Sequence, residues 1–252
     1  MNKEELLKYL LEEENKPFIG WDFSYLDGRW DDEKLPWDYK ELVIKYLKKE
    51  DNLLDMGTGD GVKLLELNHP YCNTSVTEGY KPNYDICLSK LSPLGIKVYN
   101  YVGNEKLSLI DDNSFDIVIN RHESYNEEEL YRILKPNGIF ITQQVGAYNN
   151  KNLSSFFDSS HVELFPDLTL DKSAEKLTKN KFKMLYGEEY YPILKFYDLG
   201  AIAYFAKIIK WEFINFNVID NIDKFMILQD ELNKTGYIAS KQHRFIIIAQ
   251  KI

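Results

Sequence analysis

The sequence is poor in cysteine. Cys72 and Cys87 are the only two in 252 residues, too few for a zinc cluster of their own and no basis for a disulfide-stapled fold. Both thiols are expected to be buried and chemically idle, and a reducing cytosol is the expected compartment. Positive charge is also short. Lys and Arg number 31 against 40 Asp and Glu, a formal charge of −9, the opposite of a basic face that tracks a nucleic-acid backbone. No stretch approaches the roughly 18 apolar residues of a membrane span. The most apolar segment, residues 200–209, is broken by Lys207 and followed by Lys210. Glu4 and Glu5 stand where a secretory leader would carry a basic end and then an apolar run. Internal repeats, low-complexity tracts and Pro/Gly/Ser-rich linkers are all missing. One domain over 1–252 is therefore expected, with an aromatic N-terminal extension over 1–35, a core over 36–150, and a C-terminal part over 151–252 that carries a helical insertion and a final hairpin.

With 44% hydrophobic and 28% charged residues, the composition is that of an ordinary globular protein. Leu6, Leu7, Leu10 and Leu11 predict an amphipathic helix over 2–14. The stretch from Phe18 to Trp30 is aromatic, glycine-punctuated and expected to be irregular. A helix is expected near 36–49, with Pro36 in its first turn. From Asn52 a regular alternation begins. Strands are predicted at 53–56, 74–78, 96–99, 115–120 and 139–142. Helices are predicted between them at 61–67, 83–92 and 127–134, the last stopped by Lys135-Pro136-Asn137-Gly138. Later elements are a helix at 170–179, a strand at 182–187, an apolar helix at 197–209, an amphipathic helix at 220–234 and a final strand at 243–249. Such alternation indicates βαβ units and a mostly parallel sheet with helices on both faces.

The strongest chemical signal is Leu53-Leu54-Asp55-Met56-Gly57-Thr58-Gly59-Asp60-Gly61. A buried strand runs into three alternating glycines and then a helix, so the backbone turns sharply and a ligand can approach it closely. The second strand ends at Glu78, 23 positions after Asp55, where a carboxylate can accept hydrogen bonds from both ribose hydroxyls. Strand, turn, helix, second strand and terminal carboxylate together define a nucleoside site. A dinucleotide fingerprint wants glycine where Val62 stands, and no Gly-Lys-Ser/Thr follows to make a phosphate loop. Asp55, just before the glycines, suits a ligand with positive charge better than a pyrophosphate.

The run resembles motif I of class I S-adenosylmethionine (SAM)-dependent methyltransferases. Val76-Thr77-Glu78, Gly103-Asn104 with the stretch Asp112 to Val118, and Leu134-Lys135-Pro136-Asn137-Gly138-Ile139 are similar to that superfamily's later motifs, over residues 40–145. The likeness is to uncharacterised bacterial members. The core is also similar to large-subunit ribosomal RNA guanine methyltransferases, without their cysteine-rich zinc module. The resemblance implies a Rossmann-like seven-stranded sheet in the order 3-2-1-4-5-7-6, its seventh strand antiparallel. It implies SAM as cofactor, held by Asp55, Gly57, Thr58, Gly59, Glu78, Gly79, Asn104 and Asn120. Asn104 departs from the superfamily's usual Asp, though an amide oxygen still accepts from the adenine amino group. The segment after it is about one residue shorter than common and reads Leu107-Ser108 in place of Leu-Pro.

The fourth strand ends in Asn120-Arg121-His122-Glu123-Ser124-Tyr125, where ligands bind in open α/β sheets. His122 can serve as a general base oriented by Glu123, or the segment can be a polar loop capping the next helix through Ser124 or Asn126. Gln143 and Gln144, at the end of the fifth strand, can read a polar acceptor or tie down loops. His243-Arg244 either faces the site or makes a structural ion pair. Trp21, Phe23, Tyr25, Trp30 and Trp37 either close over the cofactor and acceptor or pin a helix to the sheet. Trp30, Arg121, Gln143 and Arg244 are the candidate acceptor contacts. His69 is expected to be idle, and His161 with Glu163 lacks a third ligand, so no metal site is expected. A small-molecule acceptor, methylated at N or O, is favoured over RNA. Arg29, Arg121 and Arg244 are the few cations expected at the rim, and Glu12-Glu13-Glu14 and Asp31-Asp32-Glu33 would repel phosphate. The 197–209 helix and the turn Trp211 to Phe216 are expected to roof an enclosed pocket. The rival readings are an RNA methyltransferase and a non-catalytic SAM-binding protein.

Overall fold

The computed structural model describes residues 1–18, 22–101 and 107–252. In chain order the elements are α1 (Lys3–Glu14), β1 (Trp30–Asp32), α2 (Tyr39–Tyr46), β2 (Leu53–Met56), α3 (Val62–Leu65), β3 (Thr74–Glu78), α4 (Lys81–Lys90), β4 (Lys97–Asn100), β5 (Phe115–Arg121) and α5 (Glu127–Ile133). They continue as β6 (Leu134–Val145), α6 (Lys151–Phe157), α7 (Leu170–Lys179), β7 (Phe182–Tyr190), β8 (Ile193–Phe196), α8 (Leu199–Ile208), α9 (Val218–Thr235), β9 (Ile238–Lys241) and β10 (Arg244–Lys251). The chain divides into two compact units. The first comprises residues 1–35, 146–166 and 190–244, and the second 36–145, 167–189 and 245–252.

The second unit holds a seven-stranded sheet in the order β4-β3-β2-β5-β6-β10-β7. Numbered by appearance within the sheet, this is the expected 3-2-1-4-5-7-6. The pairs β2–β3, β2–β5, β3–β4 and β5–β6 are parallel. Strand β10 runs the other way. Gln250 donates to the Asn137 carbonyl near the start of β6, and Ile252 N donates to Lys181 O just before β7. Successive residues of each strand point to opposite faces, and this sheet buries both. Leu53, Val76, Ile117, Ile119, Ile141 and Ile248 pack with Val43 of α2, Leu64 of α3 and Cys87 of α4. Leu54, Val118, Phe140, Phe245 and Ile247 pack on the other face with Leu130 and Ile133 of α5 and Leu177 of α7. Burial on both faces explains why β2, β5 and β10 read as largely apolar runs.

Four expectations are corrected within this unit. Pro36 does not open α2; Asp38 caps it by accepting from Glu41 N, and the helix begins at Tyr39. The fifth strand begins at Leu134, which pairs with Phe115, while Ile139 pairs with Ile117. Lys135-Pro136-Asn137-Gly138 therefore bulges out of the ladder instead of preceding it, because Pro136 has no N–H to pair. The helix expected over 61–67 is a single turn, Val62–Leu65. Cys87 is buried as expected, but Cys72 is exposed, since it lies in the turn before β3 and not in the strand.

The first unit has a smaller antiparallel sheet, β1-β8-β9, in which Trp30 pairs with Phe196 and Phe196 with Ile238. Its centre is α8, every residue of which from Leu199 to Ala206 is buried, surrounded by Leu6 and Leu10 of α1 and Phe225 and Leu228 of α9. Phe18, Phe23, Leu26 and Trp30 of the aromatic N-terminal stretch join this core, while Trp21 lies outside the described residues. Phe23 stacks on Trp30 at 5.8 Å, and Trp30 packs on Phe205 at 5.9 Å. Arg29 anchors it, donating to Asp198 at 2.8 and 2.6 Å and to Glu13 at 2.8 Å. Asp198 also caps α8 through Ala201 N. No helix among the described residues is long and apolar enough to cross a membrane.

Candidate functional site

The site in the second unit is built on the C-terminal ends of β2, β3, β5 and β6. After Met56 the backbone turns through Gly57 at φ +67° and Gly59 at φ +66°, a region costly for any residue with a Cβ. Gly57 N and Thr58 N both donate to Thr77 O, at 3.0 and 3.1 Å, which hangs the turn on the end of β3. A Cβ on Gly57 would lie 2.5 Å from Glu123 Cβ, so the loop after β5 touches bare backbone there. A Cβ on Gly59 would meet nothing within 4 Å; that side of the turn is open. Gly59 N donates to Glu78 Oε2 at 2.8 Å, and Tyr80 N donates to Glu78 Oε1 at 2.8 Å. Gly79 N also faces the carboxylate, and with four lone pairs the group keeps acceptor capacity for a further donor. Burial raises the Glu78 pKa, partly offset by those backbone donors.

Asp55 lies beneath the turn. Burial pushes its carboxyl up to about 6, against the lowering effects of nearby Thr58 and Arg121 and with a further push from Glu78. Such a carboxylate gains from a cation beside it. Thr58 Oγ1 is buried beside Asp55 without a partner in good hydrogen-bond geometry. Asn120 is fully buried. Its Oδ1 accepts from Thr142 Oγ1 at 3.1 Å and Gln144 Nε2 at 2.7 Å, while its Nδ2 has no partner. Gln144 Nε2 also donates to Glu123 O at 3.0 Å, so this amide ties the loop down. Gly79 follows Glu78 at the same strand end, and Asn104 lies outside the described residues. An open glycine turn, a carboxylate with spare lone pairs, a buried acid short of a cation and two orphaned polar atoms fit a nucleoside with a cationic amino-acid tail, the chemistry of SAM.

Beyond β5, His122 adopts φ +65°. Its N–H donates to Gln143 O at 2.9 Å, and its Nε2 lies 3.2 Å from Gln143 Nε2. The other end of the Gln143 amide, Oε1, accepts from Trp37 Nε1 at 2.8 Å. Glu123 Oε1 accepts from Ser124 N and Oγ, both at 3.1 Å. Asn126, not Ser124, caps α5. Arg121 is exposed and sits 6.0 Å from the Tyr39 ring, whose hydroxyl donates to Asn120 O.

The structure thus brings Asp55, Gly57, Thr58, Gly59, Glu78, Asn120, Arg121, His122, Glu123 and Gln143 to one set of strand ends. Trp30 and Arg244 belong to the first unit. Arg244 is half-buried there with Nη1 donating to Asn149 Oδ1 and His243 O, and desolvation lowers its pKa against the pull of Asp32 and Glu212. His243 is sandwiched between the rings of Tyr148 and Tyr191. His69 donates to Asp51 O at 2.8 Å. No group of His, Cys, Asp and Glu able to hold a metal occurs among the described residues. Two participants escaped the sequence reading. Trp37 was grouped with the other aromatics, yet it bonds Gln143. The Cys87 thiol donates to Gly59 O at 3.1 Å, and burial pushes its pKa up to about 12, so it supports the turn as a proton donor and is no nucleophile. A polar atom on an otherwise apolar helix face was the one signal available for it.

Sheet order and site position define the class I SAM-dependent methyltransferase fold. No family model and no curated protein matches the sequence. Among solved structures, YcgJ from Bacillus subtilis is similar with a TM-score of 0.56 at 18% identity, over 84% of this chain and 97% of its own. A SAM-dependent methyltransferase from Aquifex aeolicus gives 0.51 at 13%, over 98% of both chains. The [4+2]-cyclase SpnF gives 0.50 at 14%, over 87% of both. Identities this low speak for the fold alone.

Proposed function

We propose that the chain is a SAM-dependent methyltransferase acting on N or O of a small-molecule acceptor. The observation that carries this reading is the Glu78 carboxylate. It is fixed by Gly59 N and Tyr80 N at the edge of an open glycine turn, with acceptor capacity left over. Bound SAM would supply an electrophilic methyl group on sulfur. Glu78 would accept from the ribose hydroxyls, Asp55 would compensate positive charge, and Thr58 Oγ1 and Asn120 Nδ2 would gain the partners they lack. Gly57, Gly59 and Gly79 would let backbone approach the ligand, and Asn104 would accept from the adenine. Transfer to N or O then relies on alignment and exclusion of water, with Arg121, His122 and Gln143 on the acceptor side.

Two observations favour a small acceptor over RNA. Of the three arginines expected at a rim, Arg29 is tied to Asp198 and Glu13, and Arg244 is half-buried with Nη1 held by Asn149 Oδ1 and His243 O. Neither is available to neutralise phosphates, which supply much of the affinity for nucleic acid. The test is release of S-adenosylhomocysteine over a panel of small acceptors and ribosomal RNA fragments. Release with a small acceptor supports the reading. Release with RNA alone, with affinity that falls steeply between about 50 and 200 mM salt, moves the assignment to RNA. SAM binding without release in any class makes the chain a binder, or an enzyme of other chemistry on this fold.

A further inference from the structure

His122 has three ways to meet a methyl acceptor: as a base through a bare nitrogen, as a donor through an N–H, or as a cation. The hydrogen-bond chain behind it selects among them. An indole N–H can only donate, so the Trp37 Nε1 bond at 2.8 Å fixes Oε1 of Gln143 as the atom facing Trp37. The Gln143 Nε2 group, which can only donate, must then be the atom 3.2 Å from His122 Nε2. The ring nitrogen at that position can only be an acceptor, and the ring proton sits on Nδ1. Both Trp37 and Gln143 are buried, which shields the bond between them and fixes the amide's orientation, while His122 itself is exposed. A second clamp holds the same residues together, since His122 N donates to Gln143 O at 2.9 Å. The left-handed backbone at His122, φ +65°, is what folds the ring back over β6; it is uncommon for a residue with a Cβ and has to be held by its surroundings.

We propose that Trp37 and Gln143 are positioning residues that hold His122 as the Nδ1–H tautomer, so that its Nε2 is engaged by Gln143 and does not serve the methyl acceptor as a general base. This rests on the methyltransferase reading for the acceptor, but not for the tautomer. The Nε2 lone pair is already engaged by Gln143. The acceptor atom must therefore arrive with its own lone pair available at neutral pH, as a carboxylate oxygen or an unprotonated nitrogen does.

The test is long-range ¹H–¹⁵N correlation of the protein labelled at its four histidines, with His122 assigned by loss of its signals in His122→Asn. At about pH 7.5 the expected pattern is a pyridine-like Nε2 and a pyrrole-like Nδ1 at His122. Gln143→Glu replaces the donor with a second acceptor and should reverse it. Trp37→Phe frees the amide to turn and should give mixed tautomers, and it serves if Gln143→Glu does not fold. An Nε2–H tautomer in the wild type, or no response to either variant, overturns the proposal. Calorimetry with SAM on the same samples separates the two claims: no SAM binding with the tautomer intact removes the methyltransferase reading and leaves the relay standing.

Discussion

The buried Asp55 carboxyl makes affinity for a cationic ligand depend on pH in a calculable way. Burial holds its pKa at about 6, roughly two units above the ordinary value near 3.9. In the free protein the folded state thus binds this proton more tightly than the unfolded chain. The corresponding stability, about 3 kcal/mol at full titration, is present below about pH 4 and is lost as pH rises through 6. A ligand that places positive charge beside Asp55 and returns it to its ordinary pKa must displace the proton first. Working through both titrations, SAM should bind about tenfold more weakly at pH 5 than at pH 7, with a plateau above pH 7. The ligand's own amino group titrates near pH 8, outside that window. Titration calorimetry at pH 5, 6 and 7 measures the slope. Asp55→Asn should flatten most of it, leaving the smaller part due to Glu78, whose pKa burial also raises. A slope unchanged in Asp55→Asn would refute the argument.

Three further outcomes follow from the same geometry. Gly57→Ala combines a left-handed φ with a 2.5 Å approach to Glu123, whereas Gly59→Ala has the φ alone with open space beyond. Thermal melts should show Gly57→Ala the less stable of the two, with Gly59→Ala costing about 1–2 kcal/mol; equal losses would contradict the close approach. Glu78→Ala should weaken SAM by about 1–3 kcal/mol, read as a five- to 150-fold rise in Kd, while Glu78→Gln should recover part of it. Arg29→Ala leaves Glu13 and Asp198 without their cation, and urea unfolding should report a loss of about 2–3 kcal/mol, after allowance for partial exposure of the pair; a change under 0.5 kcal/mol would show the pairs to be incidental.

The sheet was legible because its signal is local and repeated. Strands β2 and β5 are doubly buried and mostly apolar, β3 is buried along its length with Val76 at its centre, and each ends in a turn or polar segment that marks its direction. The glycine turn and Glu78 were legible because backbone geometry there restricts residue type. The small sheet was not. β1, β8 and β9 are three or four residues long and carry Asp31, Asp32, Lys195 and Lys241. Their pairing joins Trp30 to Phe196 across more than 160 positions, so no window of sequence contains both partners. The same holds for the relay at the site. His122 and Gln143 were singled out separately, but the bond between them and the Trp37 donor behind it depend on α2, β5 and β6 coming together, and hydrogen-bond polarity has no sequence signature. The apolar helix expected to roof a pocket is instead the fully buried centre of the first unit's core, where α1, α6 and α9 use its hydrophobic surface.

The central claim is that the β2 turn and Glu78 form a SAM site. It is tested most directly by titrating the purified chain with SAM and, separately, with NAD at pH 7.5, for wild type and Glu78→Ala. The account predicts one SAM per chain, weakened at least fivefold in Glu78→Ala, and no measurable NAD binding. Saturable binding of NAD with none of SAM would contradict it.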